Sequence, residues 1–283
     1  MVKIVAEIGF WKMHGLGNDY VVIDNMDGKL DGEDLGKLAE RICRRRFSVG
    51  ADGLLLLCAS SVADVKMRIL NADGSEAEMC GNGIRCLAKF CFERKVTEKR
   101  ELMIETLAGV KRVWLEVEDG IVRSVTVDMG SPDFERRRIP MTGEGRCIDE
   151  ELAVGDERFR VTCLSVGNPH CVVFVEDLEA FPVRRVGPLI EVHPAFPNRT
   201  NVEFVQIIGN DELRVRVWER GVGETLACGT GACAAVLAAS VLGKTGSRCT
   251  VHLPGGDLEI KYEDDRILMS GPAEKSFVGV LEV

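Results

Sequence analysis

Arg68-Ile69-Leu70-Asn71, followed by Cys80-Gly81-Asn82-Gly83, has a partner later in the chain: Arg216-Val217-Trp218-Glu219, followed by Cys228-Gly229-Thr230-Gly231. Positions 80 and 228 lie 148 apart, and the same spacing carries Arg68 onto Arg216, Asn71 onto Glu219 and Glu76 onto Glu224. A second pair, Gly15-Leu16-Gly17-Asn18 and Ser165-Val166-Gly167-Asn168, sets positions 18 and 168 at a spacing of 150. Two ordered matches at a spacing near half of 283 residues predict two homologous halves facing each other across a pseudo-two-fold axis.

Outward from these stretches the chain reads as short strands and tight turns. Val110–Val117 and Ile121–Val127 alternate around Asp119-Gly120, a hairpin signal. Further strand patterns are Tyr20–Ile23, Leu54–Cys58, Val65–Leu70, Arg158–Leu164, Val172–Val175, Val202–Ile208, Leu213–Trp218 and Leu258–Tyr262. The two helical patterns that matter most run from Gly83 to about Arg94 and from Gly231 to about Leu242. Many strands around few helices predict an α+β fold with antiparallel sheets rather than alternating βαβ units. The boundary is expected near Gly130-Ser131-Pro132, giving halves 1–130 and 131–273. The tail from Phe277 is a strand pattern, and 274–283 is expected to complete the first half.

Composition narrows the function. Charged residues make up 29% and hydrophobic residues 46%, as in ordinary globular proteins, and the net charge of −9 disfavours nucleic acid or an anionic membrane as partner. Asp31 to Arg46 reads as a surface helix, with Leu35, Leu38, Ala39 and Ile42 on one face, acids at its start and arginines in its last turn. Nothing in the chain resembles a membrane span or a signal peptide, so a cytoplasmic location is expected. The 11 cysteines include no C-x-x-C pair and the four histidines are scattered, so neither a metal site nor a disulfide framework is expected. Most of these cysteines read as small buried apolar residues.

Cys80 and Cys228 read differently. Each precedes a helix, where unpaired backbone N–H groups and the dipole favour negative charge and pull a thiol towards thiolate. The glycines that follow let backbone amides approach an anion such as a carboxylate. One such unit is ordinarily a helix start with a buried cysteine. Two units supply the acid and base that inversion of a stereocentre requires on opposite faces of a carbon. Helix N-termini on the carboxylate would stabilise the enediolate-like charge of a deprotonated amino acid, and no cofactor is needed.

With these residues the chain resembles the diaminopimelate epimerase family along nearly its full length. The motifs are Lys12-Met13-His14-Gly15-Leu16-Gly17-Asn18-Asp19, Asn71-Ala72-Asp73-Gly74-Ser75-Glu76, Met79-Cys80-Gly81-Asn82-Gly83, Gly167-Asn168-Pro169-His170-Cys171, Asn198-Arg199-Thr200-Asn201, Glu219-Arg220-Gly221-Val222-Gly223-Glu224-Thr225, Ala227-Cys228-Gly229-Thr230-Gly231-Ala232-Cys233 and Leu253-Pro254-Gly255-Gly256. The resemblance implies two halves, each a β-barrel-like sheet around a central helix, with the active site in the cleft between them. It implies interconversion of LL- and meso-diaminopimelate without a cofactor, and a homodimer. It makes Cys80 and Cys228 the acid/base pair and Gly81, Asn82, Gly229 and Thr230 the backbone cradle for the reacting carboxylate. Asn18, Asn71, Asn168, Asn201 and Arg220 would bind substrate, while Glu219 and His170 would orient its ammonium group and tune the thiols.

Read singly, Asn18 and Asn168 are turn residues and Glu219 beside Arg220 is a local ion pair; position in the repeat raises them. Arg220 suits bidentate carboxylate binding. One departure is Gly53, where some members of the family carry a glutamine that contacts substrate. The rival readings are a two-cysteine enzyme similar to proline racemase or hydroxyproline epimerase, a thiol redox protein, and a cysteine hydrolase using His170 as base.

Overall fold

Residues 7–282 are described by the computed structural model of the chain. The chain divides into two compact units: residues up to Val127 together with those from Gly271 onward, and Asp128–Ser270. Four α-helices are present among the described residues: α1 (Leu35–Cys43), α2 (Gly81–Glu93), α3 (Val183–Glu191) and α4 (Gly229–Val241). None is long and apolar enough to cross a membrane.

In the first unit α2 packs on the strands Glu7–Gly15, Asn18–Asn25, Gly53–Cys58, Val65–Asn71 and Gly109–Glu118. Every residue from Gly81 to Cys91 is buried, so this helix has no solvent face over that length. In the second unit α4 is wrapped by Glu157–Ser165, Pro169–Phe174, Asn201–Ile207, Glu212–Glu219, Arg248–Leu253 and Gly256–Glu263. Its run Gly231-Ala232-Cys233-Ala234-Ala235 lets strands approach closely, and all five residues are buried. Each unit is thus a sheet around its own central helix, as the family resemblance implies.

The repeat appears as matched pairing. Leu70 pairs with Glu76 and Ile69 with Ala77 in the first unit; Trp218 pairs with Glu224 and Val217 with Thr225 in the second. The Arg68 guanidinium grips Glu76 through Nε and Nη2, at 2.7 and 2.9 Å. Arg216 grips Glu224 in turn, with Nε at 2.8 Å and Nη2 at 2.6 Å. The helices α2 and α4 also start and end at matching positions.

Asp119 and Gly120 both have positive φ, 51° and 77°, which makes a two-residue turn matched to the twist of its flanking strands. The strand Glu274–Glu282 pairs antiparallel with Glu7–Gly15, from Glu7 opposite Glu282 to His14 opposite Glu274.

Two expectations are corrected. The sheets are mixed rather than antiparallel. Asn18–Asn25 runs parallel to Gly53–Cys58 and Val65–Asn71 to Glu101–Thr106, while Pro169–Phe174 runs parallel to Asn201–Ile207 and Glu212–Glu219 to Arg248–Leu253. Parallel neighbours need a crossover, and α1, α2, α3 and α4 supply the four. Secondly, α1 ends at Cys43, so the three arginines lie beyond it. Arg44 stacks on the Phe47 ring at 4.3 Å, and Arg45 reaches Asp19 and Asp52. The helix α3, which the sequence analysis does not single out, has Pro188 inside it, and that hides its periodicity.

Candidate active site

Within the first unit the chain turns from the strand Val65–Asn71 into α2 through Cys80. Cys80 is extended, with φ −141° and ψ 123°, and is the N-cap residue. Its sulfur accepts from Gly83 N–H at 3.5 Å, so a thiol holds the place that Ser or Asp usually holds. The amides of Gly81 and Asn82 belong to the first turn, where no helical carbonyl reaches them.

Around Cys80 Sγ stand the Tyr20 hydroxyl at 2.9 Å and Asn18 Oδ1 at 3.6 Å. Tyr20 O–H also reaches Asn18 Oδ1, at 2.6 Å, and Asn82 Nδ2 donates to the same oxygen at 3.2 Å. Asn18 Nδ2 donates to Asp52 Oδ2 at 2.9 Å, which fixes the amide orientation. Asn18, Gly81, Asn82 and Cys80 are therefore gathered together. Asn71 is not part of this network: its Nδ2 donates to Ser75 Oγ at 2.9 Å across its own exposed turn.

The second unit repeats the plan with different chemistry. Cys228 caps α4, its sulfur accepting from Gly231 N–H at 3.3 Å. Thr230 Oγ1 lies 3.5 Å from Sγ, and Asn168 Nδ2 donates to Thr230 Oγ1 at 3.2 Å. His170 Nε2 meets Asn168 Oδ1 at 2.9 Å, and His170 Nδ1 lies 2.7 Å from Glu203 Oε1. Since Asn168 presents its N–H₂ to Thr230, its carbonyl faces the ring, and Nε2 carries the proton.

Glu219 ends its strand and accepts from Thr225 Oγ1 at 2.5 Å. Asn201 is buried; its Oδ1 accepts from Arg220 N–H at 2.8 Å while its Nδ2 donates to Pro169 O at 2.9 Å. The Arg220 side chain is exposed, with Nη1 donating to Asn198 O at 3.3 Å. That leaves most of its guanidinium face for an anion. Glu219 and Arg220 thus each have a polar contact of their own, to Thr225 and Asn198.

The thiol expectation fails at Cys228. Burial pushes this thiol well above the ordinary range, and the nearby Glu219 and Glu203 carboxylates push it the same way. Thr230 and the Gly231 amide pull it down by less. Desolvation of the thiolate outweighs the helix N-terminus here. Burial likewise raises the Glu203 carboxyl, against the opposing pull of His170.

All 11 cysteines are free. Nine are buried, but that group includes Cys228, while Cys58 and Cys80 are half-buried. Four residues escaped the sequence reading: Tyr20, Asp52, Glu203 and Thr225. The repeat held a signal for one, since positions 20 and 170 share the spacing of 150 that joins Asn18 to Asn168. Glu203 carried no comparable signal, because its counterpart at spacing 148 is Leu55.

Gly53 also finds its explanation here. It pairs with Tyr20 across parallel strands, and a Cβ there would meet Leu70 O at 2.8 Å and the Tyr20 ring at 3.2 Å. The phenol fills the space a side chain would need.

Solved structures share this fold. Hydroxyproline epimerase from Agrobacterium vitis superposes with a TM-score of 0.71 at 17% identity, over 98% of this chain and 93% of that one. The PhzF-family phenazine biosynthesis protein of Bacillus anthracis gives 0.70 at 19%, over 98% and 100%. Sequence comparison is narrower. The family model for diaminopimelate epimerase matches residues 10–135 and 162–276. The chain is 56% identical over 272 residues to diaminopimelate epimerase of Pelotomaculum thermopropionicum, covering 95% of this chain and 97% of that one. It is 54% identical over 273 residues to that of Moorella thermoacetica, covering 95% and 98%. The chain belongs to the diaminopimelate epimerase family and is an isomerase of lysine biosynthesis.

Proposed function

We propose that the chain interconverts LL- and meso-diaminopimelate by two-base proton transfer between Cys80 and Cys228. The observation that carries this is the matched pair of caps: each sulfur accepts from the amide of the glycine three residues on, at 3.5 Å and 3.3 Å. In one direction the Cys80 thiolate takes the α-proton and becomes S–H. The C–H electron pair passes into the carboxyl group as an enediolate-like charge. First-turn amides of Gly81, Asn82, Gly229 and Thr230 offset that charge. The Cys228 thiol then gives its proton to the opposite face of the carbon. Burial keeps Cys228 protonated in the free protein, which suits it to begin as the acid. The reverse reaction exchanges the roles.

Asn18, Asn71, Asn168, Asn201 and Arg220 are assigned to substrate binding, Arg220 to the distal carboxylate. Glu219 is assigned to the substrate ammonium group, and His170 to holding Asn168 and, through it, Thr230. The two units correspond to the two halves of the repeat. We further infer a cytoplasmic homodimer. Free thiols at the proposed site suit a reducing compartment, and exposed Phe277, Val278 and Val280 on the final strand leave apolar surface for a second copy.

The test is proton NMR of LL-diaminopimelate in deuterated water with reduced protein. Deuterium uptake at an α-carbon with formation of the meso isomer is expected, and its loss in Cys80→Ala and in Cys228→Ala. Absence of exchange with folded, reduced protein would overturn the substrate, and proline and hydroxyproline would be tried next.

A further inference from the structure

We infer that Tyr20 is a positioning residue for Cys80: its hydroxyl turns towards Sγ when the sulfur is a thiolate and towards Asn18 Oδ1 when it is a thiol. The inference deepens the two-cysteine reading and assigns a role to a residue outside the repeat motif.

The hydroxyl has one proton and two neighbours that compete for it. Asn18 Oδ1 lies at 2.6 Å and Cys80 Sγ at 2.9 Å. Asn18 cannot change its character, because its Nδ2 is committed to Asp52 Oδ2 at 2.9 Å. Asp52 is held in turn by the Asp19 amide at 3.0 Å and Arg45 Nη2 at 2.8 Å. Oδ1 is therefore a fixed acceptor. With Cys80 as a thiol, Tyr20 donates to Oδ1 and its own oxygen accepts from S–H. With Cys80 as a thiolate, the hydroxyl donates to sulfur, and Oδ1 retains the Asn82 Nδ2 donor at 3.2 Å. Both protonation states leave every group partnered, at the cost of one hydroxyl rotation.

Two further features support the assignment. Tyr20 is only 5% exposed, and burial holds its phenol protonated well above the ordinary range, so it remains a donor across the working pH. Gly53, its parallel partner, lacks the Cβ that would press on the ring. In the second unit the matching position is His170, which meets Asn168 Oδ1 in the same way, while Thr230 makes the contact to sulfur. The first unit combines both tasks in one side chain.

The test compares Tyr20→Phe with the unmodified enzyme by the rate of iodoacetamide alkylation at each cysteine, resolved by peptide mass spectrometry. Cys80 alkylation at pH 7 is expected to slow about tenfold, equivalent to about one pH unit. Alkylation of Cys228 should stay within twofold. kcat should fall with KM within twofold. A Cys80 rate unchanged at pH 7 would overturn the inference, whatever happens to turnover. Because alkylation needs no substrate, that failure is distinguishable from failure of the proposed reaction. Should Tyr20→Phe misfold, the two tyrosines of the chain offer another route. Tyr262→Phe grown with 3-fluorotyrosine carries one fluorine label, at Tyr20. Its resonance should shift with pH in step with Cys80 alkylation; a resonance that ignores Cys80 ionisation would overturn the inference as well.

Discussion

His170 Nδ1 and Glu203 Oε1 stand 2.7 Å apart with neither side chain accessible to solvent, and Glu203 Oε2 is buried without a hydrogen-bond partner. A carboxylate with one unpartnered oxygen is costly in such a place, which is why burial raises this carboxyl. A raised folded value means that the fold favours the protonated form. The associated stability is fully present below about pH 4.5 and is lost as pH rises through the folded value. Above about pH 4.5, and up to the folded value, the enzyme should lose stability with a slope of up to about 1.4 kcal/mol per pH unit from this group. Glu203→Gln should flatten that part of the profile in thermal unfolding. An unchanged slope in the variant would remove Glu203 from the account.

Reactivity of the two thiols should differ in the free enzyme. Cys80 is half-buried, whereas Cys228 is 7% exposed and held as a thiol by its burial and by Glu219 and Glu203. Limited iodoacetamide at pH 7 should label Cys80 at least about tenfold faster, since each unit of thiol ionisation is worth a factor of ten. Equal labelling would contradict the electrostatic difference between the two caps.

The glycines three residues after the cysteines should respond unequally to alanine. At Gly231 a Cβ would meet Glu203 Oε1 at 2.9 Å and Cys228 Sγ at 3.3 Å, inside a buried polar cluster. At Gly83 it would meet Leu55 Cδ2 at 3.3 Å and Cys80 Cβ at 3.5 Å, and a leucine tip can move. Gly231→Ala is expected to cost about 1–3 kcal/mol in denaturant unfolding and most of the activity, and Gly83→Ala less on both counts. Equal losses would indicate that the two caps are packed alike.

Matched ion pairs should likewise carry unequal weight. Arg68 binds Glu76 near the surface, so Arg68→Ala should cost no more than about 1 kcal/mol. Arg216 also donates to Leu178 O at 3.1 Å and Phe181 O at 3.3 Å, tying a loop to the sheet. Arg216→Ala should cost about 2 kcal/mol, because those carbonyls lose a charged donor. Chemical denaturation of the two variants measures the difference.

The repeat made much of this legible. Cys80, Cys228, Asn18, Asn168 and the Arg–Glu pairs stand at fixed spacings, and fixed spacings become equivalent places in a fold. Short strands with alternating residues were also readable, since period-two burial follows from the pleat. Parallel pairing was not, because it depends on which strand a crossover returns to rather than on the strand's own residues. The helix Val183–Glu191 was masked by Pro188, and its close fit depends on Gly187, where a Cβ would come within 2.7 Å of Trp218 Cγ. Glu203 reads as an ordinary polar residue in a strand; only the fold buries it beside His170. The thiol shift at Cys228 was misread for a related reason: the helix start is visible in sequence, but the burial that outweighs it is not.

The antiparallel pairing of Glu7–Gly15 with Glu274–Glu282 has a consequence for biosynthesis. The strand Glu7–Gly15 waits for Glu274–Glu282, while everything from Asp128 to Ser270 is made in the interval. That intervening stretch carries its own central helix and has all its strand partners for α4 before Glu274 is made. The strand Glu7–Gly15 meanwhile presents one unpaired edge, with Phe10 and Trp11 beside it, until Glu274–Glu282 is made. Nascent chains stalled before Glu274 should therefore be the species that chaperones hold and that aggregate first.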